Sequence, residues 1–298
     1  MTHAATLICH PNQPALDEAA IECARAALPG AARTSWLSPS IAADFPFHPA
    51  DATDLRALAD RVREALAGIP IDVVVQPAAG RRKGLFVADM DSTMIEQECI
   101  DELADYVGLK DHVAAITERA MRGEIAFEPA LRERVALLKG LSAAVIDEVL
   151  RDRITLMPGG RTLVATMRAN GAHTCLVSGG FMGFVERIAP MIGFDESRAN
   201  TLEVDAGALN GCVREPILGR EAKRATLVEL REQLHLSTND TLAVGDGAND
   251  LDMLQEAGLG VAYHAKPKVA LAAAARIDHG DLTALLYAQG YRREEFVN

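Results

Sequence analysis

Short apolar runs at residues 85–88, 174–177, 241–244 and 259–262 recur along the chain, separated by stretches with helical apolar spacing. Runs of that length read as strands buried on both faces. Strands alternating with helices imply a doubly wound parallel α/β sheet, because a parallel neighbour is reached only through a crossover. The pattern also says where chemistry can sit. In such a sheet the C-terminal strand ends open on one crevice, whatever their separation in sequence.

Three of those ends carry reactive residues. They lead into Asp89-Met90-Asp91-Ser92-Thr93, into Ser178-Gly179-Gly180, and into Gly245-Asp246-Gly247-Ala248-Asn249-Asp250. Asp89 and Asp246 offer hard oxygen ligands suited to Mg²⁺, which takes few protein carboxylates and keeps water or phosphate oxygens. Ser178 with the amides of Gly179 and Gly180 reads as a turn able to cradle a phosphate. Lys223, at the start of a helix running through Leu227 and Leu230, can bring a cation to the same place. Asn249 can donate an amide hydrogen to a phosphate oxygen, and Asp250 can hold a metal's water or orient Lys223. A phosphomonoester dianion repels a bare carboxylate, so Mg²⁺ and Lys223 must neutralise it before Asp89 attacks phosphorus. Asp91 is then the acid for the leaving alkoxide and the base for water. Each residue taken singly also has a plainer reading: an Asp-rich turn, a strand-to-helix serine, a surface lysine. The Gly245-x-Gly247 pair does not make a dinucleotide loop, since Asp250 stands where a third glycine belongs.

Bulk properties narrow the class. At 298 residues the chain can bury a sizeable core and more than one domain. A net charge of −12 steers no phosphate backbone or anionic membrane towards it. Cys9, Cys23, Cys99, Cys175 and Cys212 are scattered without a Cys-x-x-Cys pair. They form neither a disulfide framework nor a zinc site, so a cytoplasmic protein is expected. No run approaches the roughly 18 apolar residues of a membrane helix. The short basic run Arg81-Arg82-Lys83 reads as a solvated linker rather than a nucleic-acid patch.

Residues 1–80 order differently. Strand character at 6–9 and 71–75, an extended stretch holding Trp36 and Phe45, and helices at 15–28 and 54–67 give roughly βαββαβ, a small α+β domain. Residues 81–298 form the second domain. Between its first two strands lies a mostly helical interval far longer than one crossover, with helical apolar spacing at 100–107, 113–121, 131–138 and 143–150. The economical reading is a helical cap over about residues 96–156. Seven acidic residues and no Lys or Arg stand from Asp89 to Asp105, and a solvated helix face accounts for Glu96, Asp101, Glu102 and Asp105. Helical spacing alone puts Glu98 on the surface too, and Arg134 has Glu133, Glu128 or another cap carboxylate as alternative partners.

Together and in order, the Asp89, Ser178, Lys223 and Gly245–Asp250 segments resemble the four motifs of the haloacid dehalogenase superfamily. From about residue 85 onward the chain is similar, within it, to the phosphoserine phosphatase family. The narrower signs are Glu98 in Ile95-Glu96-Gln97-Glu98, the stretch at 127–135, and Val177-Ser178-Gly179-Gly180-Phe181. The resemblance implies a Rossmann-like core and Mg²⁺-dependent hydrolysis of O-phospho-L-serine, the last step of serine biosynthesis, through an aspartyl-phosphate. A phosphatase or phosphotransferase acting on another small phosphomonoester, passing phosphate to homoserine for example, is the alternative. It further implies Mg²⁺ on Asp89, the Asp91 carbonyl and Asp246, with Asp250 behind them. Glu98 would bind the substrate ammonium and Arg134 its carboxylate, while Ser178, Gly179, Lys223 and Asn249 take the phosphate and Phe127 and Met121 close the cap. Residues 1–80 are similar in order to ACT-type regulatory domains, which implies a sensor or a homodimer contact.

Overall fold

The computed structural model describes residues 1–28, 30–49 and 54–297. It opens with β1 (His3–Cys9), α1 (Glu18–Ala27), β2 (Ser35–Ser38), β3 (Ala42–Phe47), α2 (Leu55–Ala65) and β4 (Ile71–Pro77), the expected βαββαβ order. The strands form an antiparallel sheet in the order β2-β3-β1-β4. The first helix starts later than apolar spacing suggested, because the Asp17 carboxylate accepts from the Ala20 amide and caps it there. Asp54 caps α2 in the same way, accepting from the amides of Arg56 and Ala57.

The second sheet holds β5 (Leu85–Ala88), β6 (His173–Phe181), β7 (Glu196–Asn200), β10 (Thr241–Gly245), β11 (Leu259–Tyr263) and β12 (Ala275–Ile277). Its order is β12-β11-β10-β5-β6-β7, parallel throughout. Side chains of β5 alternate: Phe86 and Ala88 join one apolar cluster, Leu85 and Val87 the other. After β5 the chain builds β6 and β7 on one side, then returns through β10 on the other. The switch point therefore lies between β5 and β10.

Between β5 and β6 stand α3 (Cys99–Asp105), α4 (Lys110–Met121), α5 (Phe127–Leu137), α6 (Val145–Asp152) and α7 (Gly160–Ala169). A bridge between Ile95 and Leu156 ties together the two stretches of chain that lead into and out of α3–α6, and the Glu96 amide donates to the Thr155 carbonyl there. The crossover continues with α8 (Met182–Ile192) before β7, the hairpin β8 (Leu202–Asp205) and β9 (Ala208–Val213), and α9 (Arg220–Gln233) before β10. Helices α10 (Leu251–Glu256), α11 (Pro267–Ala272) and α12 (Ala284–Ala288) complete the fold.

Two sequence expectations are corrected. Ser178-Gly179-Gly180 is not a turn: β6 runs on through it to Phe181, with its register against β7 shifting between Val177 and Phe181. Nor is Arg81-Arg82-Lys83 a solvated linker. Arg81 grips Asp44 with both terminal nitrogens, at 2.6 and 3.0 Å, and donates to the Ala288 carbonyl. Lys83 is buried and donates to the carbonyls of Gly80 and Asn239. Charge at a junction is legible in sequence; that the junction is packed is a tertiary fact.

Candidate active site

Parallel pairing sets Val244 opposite Ala88, so Asp89 and Gly245 leave the sheet side by side and the Asp89 amide donates to the Val244 carbonyl. This brings Asp89, Asp246 and Asp250 within 4.8 Å of one another, all buried. Lys223, on the first turn of α9 and wholly buried, reaches between them: its Nζ lies 2.6 Å from Asp89 Oδ1 and 2.7 Å from Asp250 Oδ1. Burial alone would lower its pKa, yet Asp250 and Asp89 raise it, so the ammonium stays charged.

The carboxylates are not equivalent. Asp250 has both oxygens engaged, one by Lys223 and one by the Gly247 amide at 3.1 Å. It therefore orients the lysine. Gly245 permits this fold-back, since a Cβ there would lie 2.4 Å from Asp250 Cγ. Among the described residues Asp246 has only the Thr93 hydroxyl, at 3.3 Å. Burial, then the carboxylates of Glu98, Asp250 and Asp89, push it well above the usual carboxylate range. Asp89 is pushed up to about 8 by burial and Asp250, against Lys223. One lysine does not balance this cluster, and hard oxygen donors of that number and burial suit a divalent cation of the Mg²⁺ type.

Asp89 Oδ1 is taken by Lys223 and by the Met90 amide at 2.7 Å, so its other oxygen is left for the crevice. Asp91 accepts from the Cys99 amide at 2.8 Å and from Ser178 Oγ at 3.0 Å, while Ser178 accepts from the Gly180 amide at 2.8 Å. Asn249 joins the same crevice, its Oδ1 buried without a partner among the described residues. Such an orphan marks a place that water, an ion or substrate completes.

The cap supplies the other wall. Glu98 and Arg134 line the crevice with Asp89, Asp91, Gly179 and Asn249, so Glu98 is not the plain surface residue that helical spacing allowed. Ser92, in a left-handed conformation (φ 56°), turns its hydroxyl to Glu98 Oε1 at 2.6 Å. Burial, and Asp91 beside it, push Glu98 up to about 8. Arg134 is buried on α5, and its charge faces Glu98 and Asp101 rather than Glu133 alone. Phe127 closes over Gly179, where a Cβ would lie 2.7 Å from its ring, and Met121 closes over Gly247. Of the candidate site residues, Asp89, Asp91, Glu98, Met121, Phe127, Arg134, Gly179 and Asn249 line one crevice, and Ser178, Lys223, Asp246 and Asp250 stand against them.

Sequence reasoning missed the supports. Thr93 holds Asp246; Asn200 donates to the Gly179 carbonyl at 2.8 Å and accepts from the Leu218 amide, tying β7 to the β6 extension. Asp101 is no solvated residue, for it accepts from the Thr117 hydroxyl. Glu96 is exposed as expected, while Glu102 and Asp105 pair with Arg153. Thr93 stands within the Asp89–Thr93 segment, which gave its place but not its role; the others had no signal.

A family model for haloacid dehalogenase-like hydrolases matches residues 86–255. The chain belongs to this family. It is 51% identical over 207 residues to a phosphoserine phosphatase of Polaromonas sp. strain JS666, covering 68% of this chain and 88% of that one. With that relative it belongs among the phosphoserine phosphatases. A haloacid dehalogenase family hydrolase from Salmonella enterica subsp. enterica serovar Typhi superposes with a TM-score of 0.83 at 30% identity, over 97% of this chain and 98% of that one. A substrate-bound phosphoserine phosphatase superposes with a TM-score of 0.66 at 37% identity, over 69% of this chain and 97% of the other. The first likeness takes in the antiparallel sheet as well. Among the described residues no helix is long and apolar enough to cross a membrane.

Proposed function

We propose that the chain hydrolyses O-phospho-L-serine to L-serine and phosphate through an aspartyl-phosphate on Asp89. One observation carries the reading: the crevice that exposes Asp89 and Asp91 is closed by a cap that presents one carboxylate, Glu98, and one guanidinium, Arg134. An amino acid offers the complementary pair, and arginine grips a carboxylate with two parallel bonds.

The residues divide the work. Lys223 and the Gly179 amide take the phosphoryl oxygens, with Ser178 and Asn249 beside them. The free oxygen of Asp89 attacks phosphorus. Asp91 protonates the departing serine alkoxide and then removes a proton from the water that cleaves the acyl phosphate. Ser178, which donates to Asp91 without substrate, turns to the phosphate and frees that carboxyl oxygen. Mg²⁺ would be held by Asp89, Asp246 and the Asp91 carbonyl, and when bound it would offset the carboxylates and polarise the phosphoryl group. The cap excludes water until the leaving group has gone.

Phosphate release from O-phospho-L-serine, with and without EDTA, tests this. Release should depend on the cation and vanish in Asp89→Asn. Survival of turnover in that variant rules out the nucleophile, and phosphate appearing on added homoserine instead of in solution turns the reading to phosphotransfer. For residues 1–80 the βαββαβ order and the edge strand β2, with Trp36 40% exposed, support an ACT-like homodimer contact. Sedimentation of the full chain decides it, a monomer discarding the contact.

A further inference from the structure

Three cap helices meet at one hydroxyl. Thr117 on α4 is buried, accepts from Arg134 Nη1 on α5 at 2.9 Å, and donates to Asp101 Oδ1 on α3 at 2.7 Å. Arg134 Nε donates to the Ala130 carbonyl one turn back at 3.1 Å. Two of the five guanidinium donors are thereby fixed on two different nitrogens, which sets the plane of the group. Among the described residues the other three have no hydrogen-bond partner and remain for the crevice. A hydroxyl has one proton, so in accepting from Arg134 it can donate fully to only one neighbour. Asp101 is nearer than the Val113 carbonyl, which lies at 3.0 Å.

An arginine side chain has many rotamers, and holding it in one plane before substrate arrives removes an ordering cost from binding. The chemistry at phosphorus, some side chains away, does not need that plane. From this geometry we infer that Thr117, oriented by Asp101, is a positioning residue for amino-acid specificity: it sets the Arg134 guanidinium to grip the substrate carboxylate. The inference rests on the proposed phosphoserine reading. It makes the discrimination between substrates with and without a carboxylate a property of the α3–α4–α5 junction, not of Arg134 alone.

The test compares O-phospho-L-serine with O-phosphoethanolamine, which keeps the amine and phosphate and lacks the carboxylate. Thr117→Val, near in shape and without the hydroxyl, should raise KM for phosphoserine about tenfold, the scale of one hydrogen bond to a charged group. Its kcat should change little, and its turnover of phosphoethanolamine should match wild type. Thr117→Ser should restore the phosphoserine KM. In an Arg134→Ala background Thr117→Val should add nothing, because residues acting through one another are not additive. Equal loss on both substrates would make Thr117 merely structural and overturn the inference. So would an unchanged KM in Thr117→Val, or a full additional loss on top of Arg134→Ala. Wild type lacking any preference for phosphoserine over phosphoethanolamine would instead remove the functional reading beneath it.

Discussion

At the scale of residues, the site is a problem of charge. Asp89 and Asp250 share one buried ammonium, with Asp246 close beside them, and Lys223 is wholly enclosed. Replacing Lys223 by Ala leaves two buried carboxylates without their partner, which costs about 3–5 kcal/mol when a buried pair is broken. Urea unfolding of Lys223→Ala should show a loss of that order, together with loss of turnover; a loss under about 1 kcal/mol would contradict the enclosed triad. The carboxylates also predict a pH dependence. In the metal-free protein Asp89 and Glu98 ionise only near pH 8, against 3.8 and 4.5 for the free groups. Over that interval the folded state keeps protons that the unfolded state has released, so its stability falls as pH rises. Groups held low, such as Glu102 and Glu256, act below that range and in the opposite sense. Melting temperature in EDTA should therefore decline between about pH 5 and pH 8, and added Mg²⁺ should flatten the decline. A profile that rises through this window would sink the assignment. The paired aspartates were legible in sequence because they follow an apolar run directly. Lys223 was legible only from its order among motifs, since nothing local to a lysine says that it is buried. Thr117 and Asn200 were not legible, because their partners come from other helices and strands.

At the scale of elements, the cap helices supply one wall of the crevice. Phe127, at the start of α5, packs on the extension of β6, and a Cβ on Gly179 would meet its ring at 2.7 Å. Gly179→Ala should therefore hold the cap open while leaving the sheet intact. The expected result is a loss in kcat/KM of at least about tenfold with little change in melting temperature. Unchanged kinetics would show that Phe127 moves aside without consequence. The cap helices were readable from their spacing to within a few residues, for amphipathic periodicity is a local property. The path of residues 178–180 was not. Glycine and serine after a strand ordinarily signal a turn, and here the next strand, β7, offers Asn200 to keep the chain extended.

At the scale of the whole molecule, the antiparallel sheet and the catalytic sheet share one apolar cluster, which runs from Leu7 and Phe45 to Leu285 and Tyr287. Polar anchors cross the same boundary. Buried Asp72 on β4 accepts from the amides of Asp278 and Gly280, both at 2.7 Å, Gln76 donates to the Ala288 carbonyl, and Arg81 binds Asp44 and Ala288. The sequence suggested two units on a solvated joint because a basic, glycine-containing segment looks exposed when partners such as the Ala288 carbonyl lie 207 residues away. Deletion of residues 1–80 should expose the buried face of α12 and give an insoluble or unfolded chain, and a soluble fragment with wild-type turnover would contradict that shared core. The central claim, that this crevice reads an amino acid as well as a phosphate, is tested most directly by kcat/KM for O-phospho-L-serine against an aryl phosphate. An aryl ester has neither an ammonium for Glu98 nor a carboxylate for Arg134. Two charge-assisted interactions that only phosphoserine makes predict a preference of about a hundredfold or more for it, whereas equal values would mean that Glu98 and Arg134 hold no substrate.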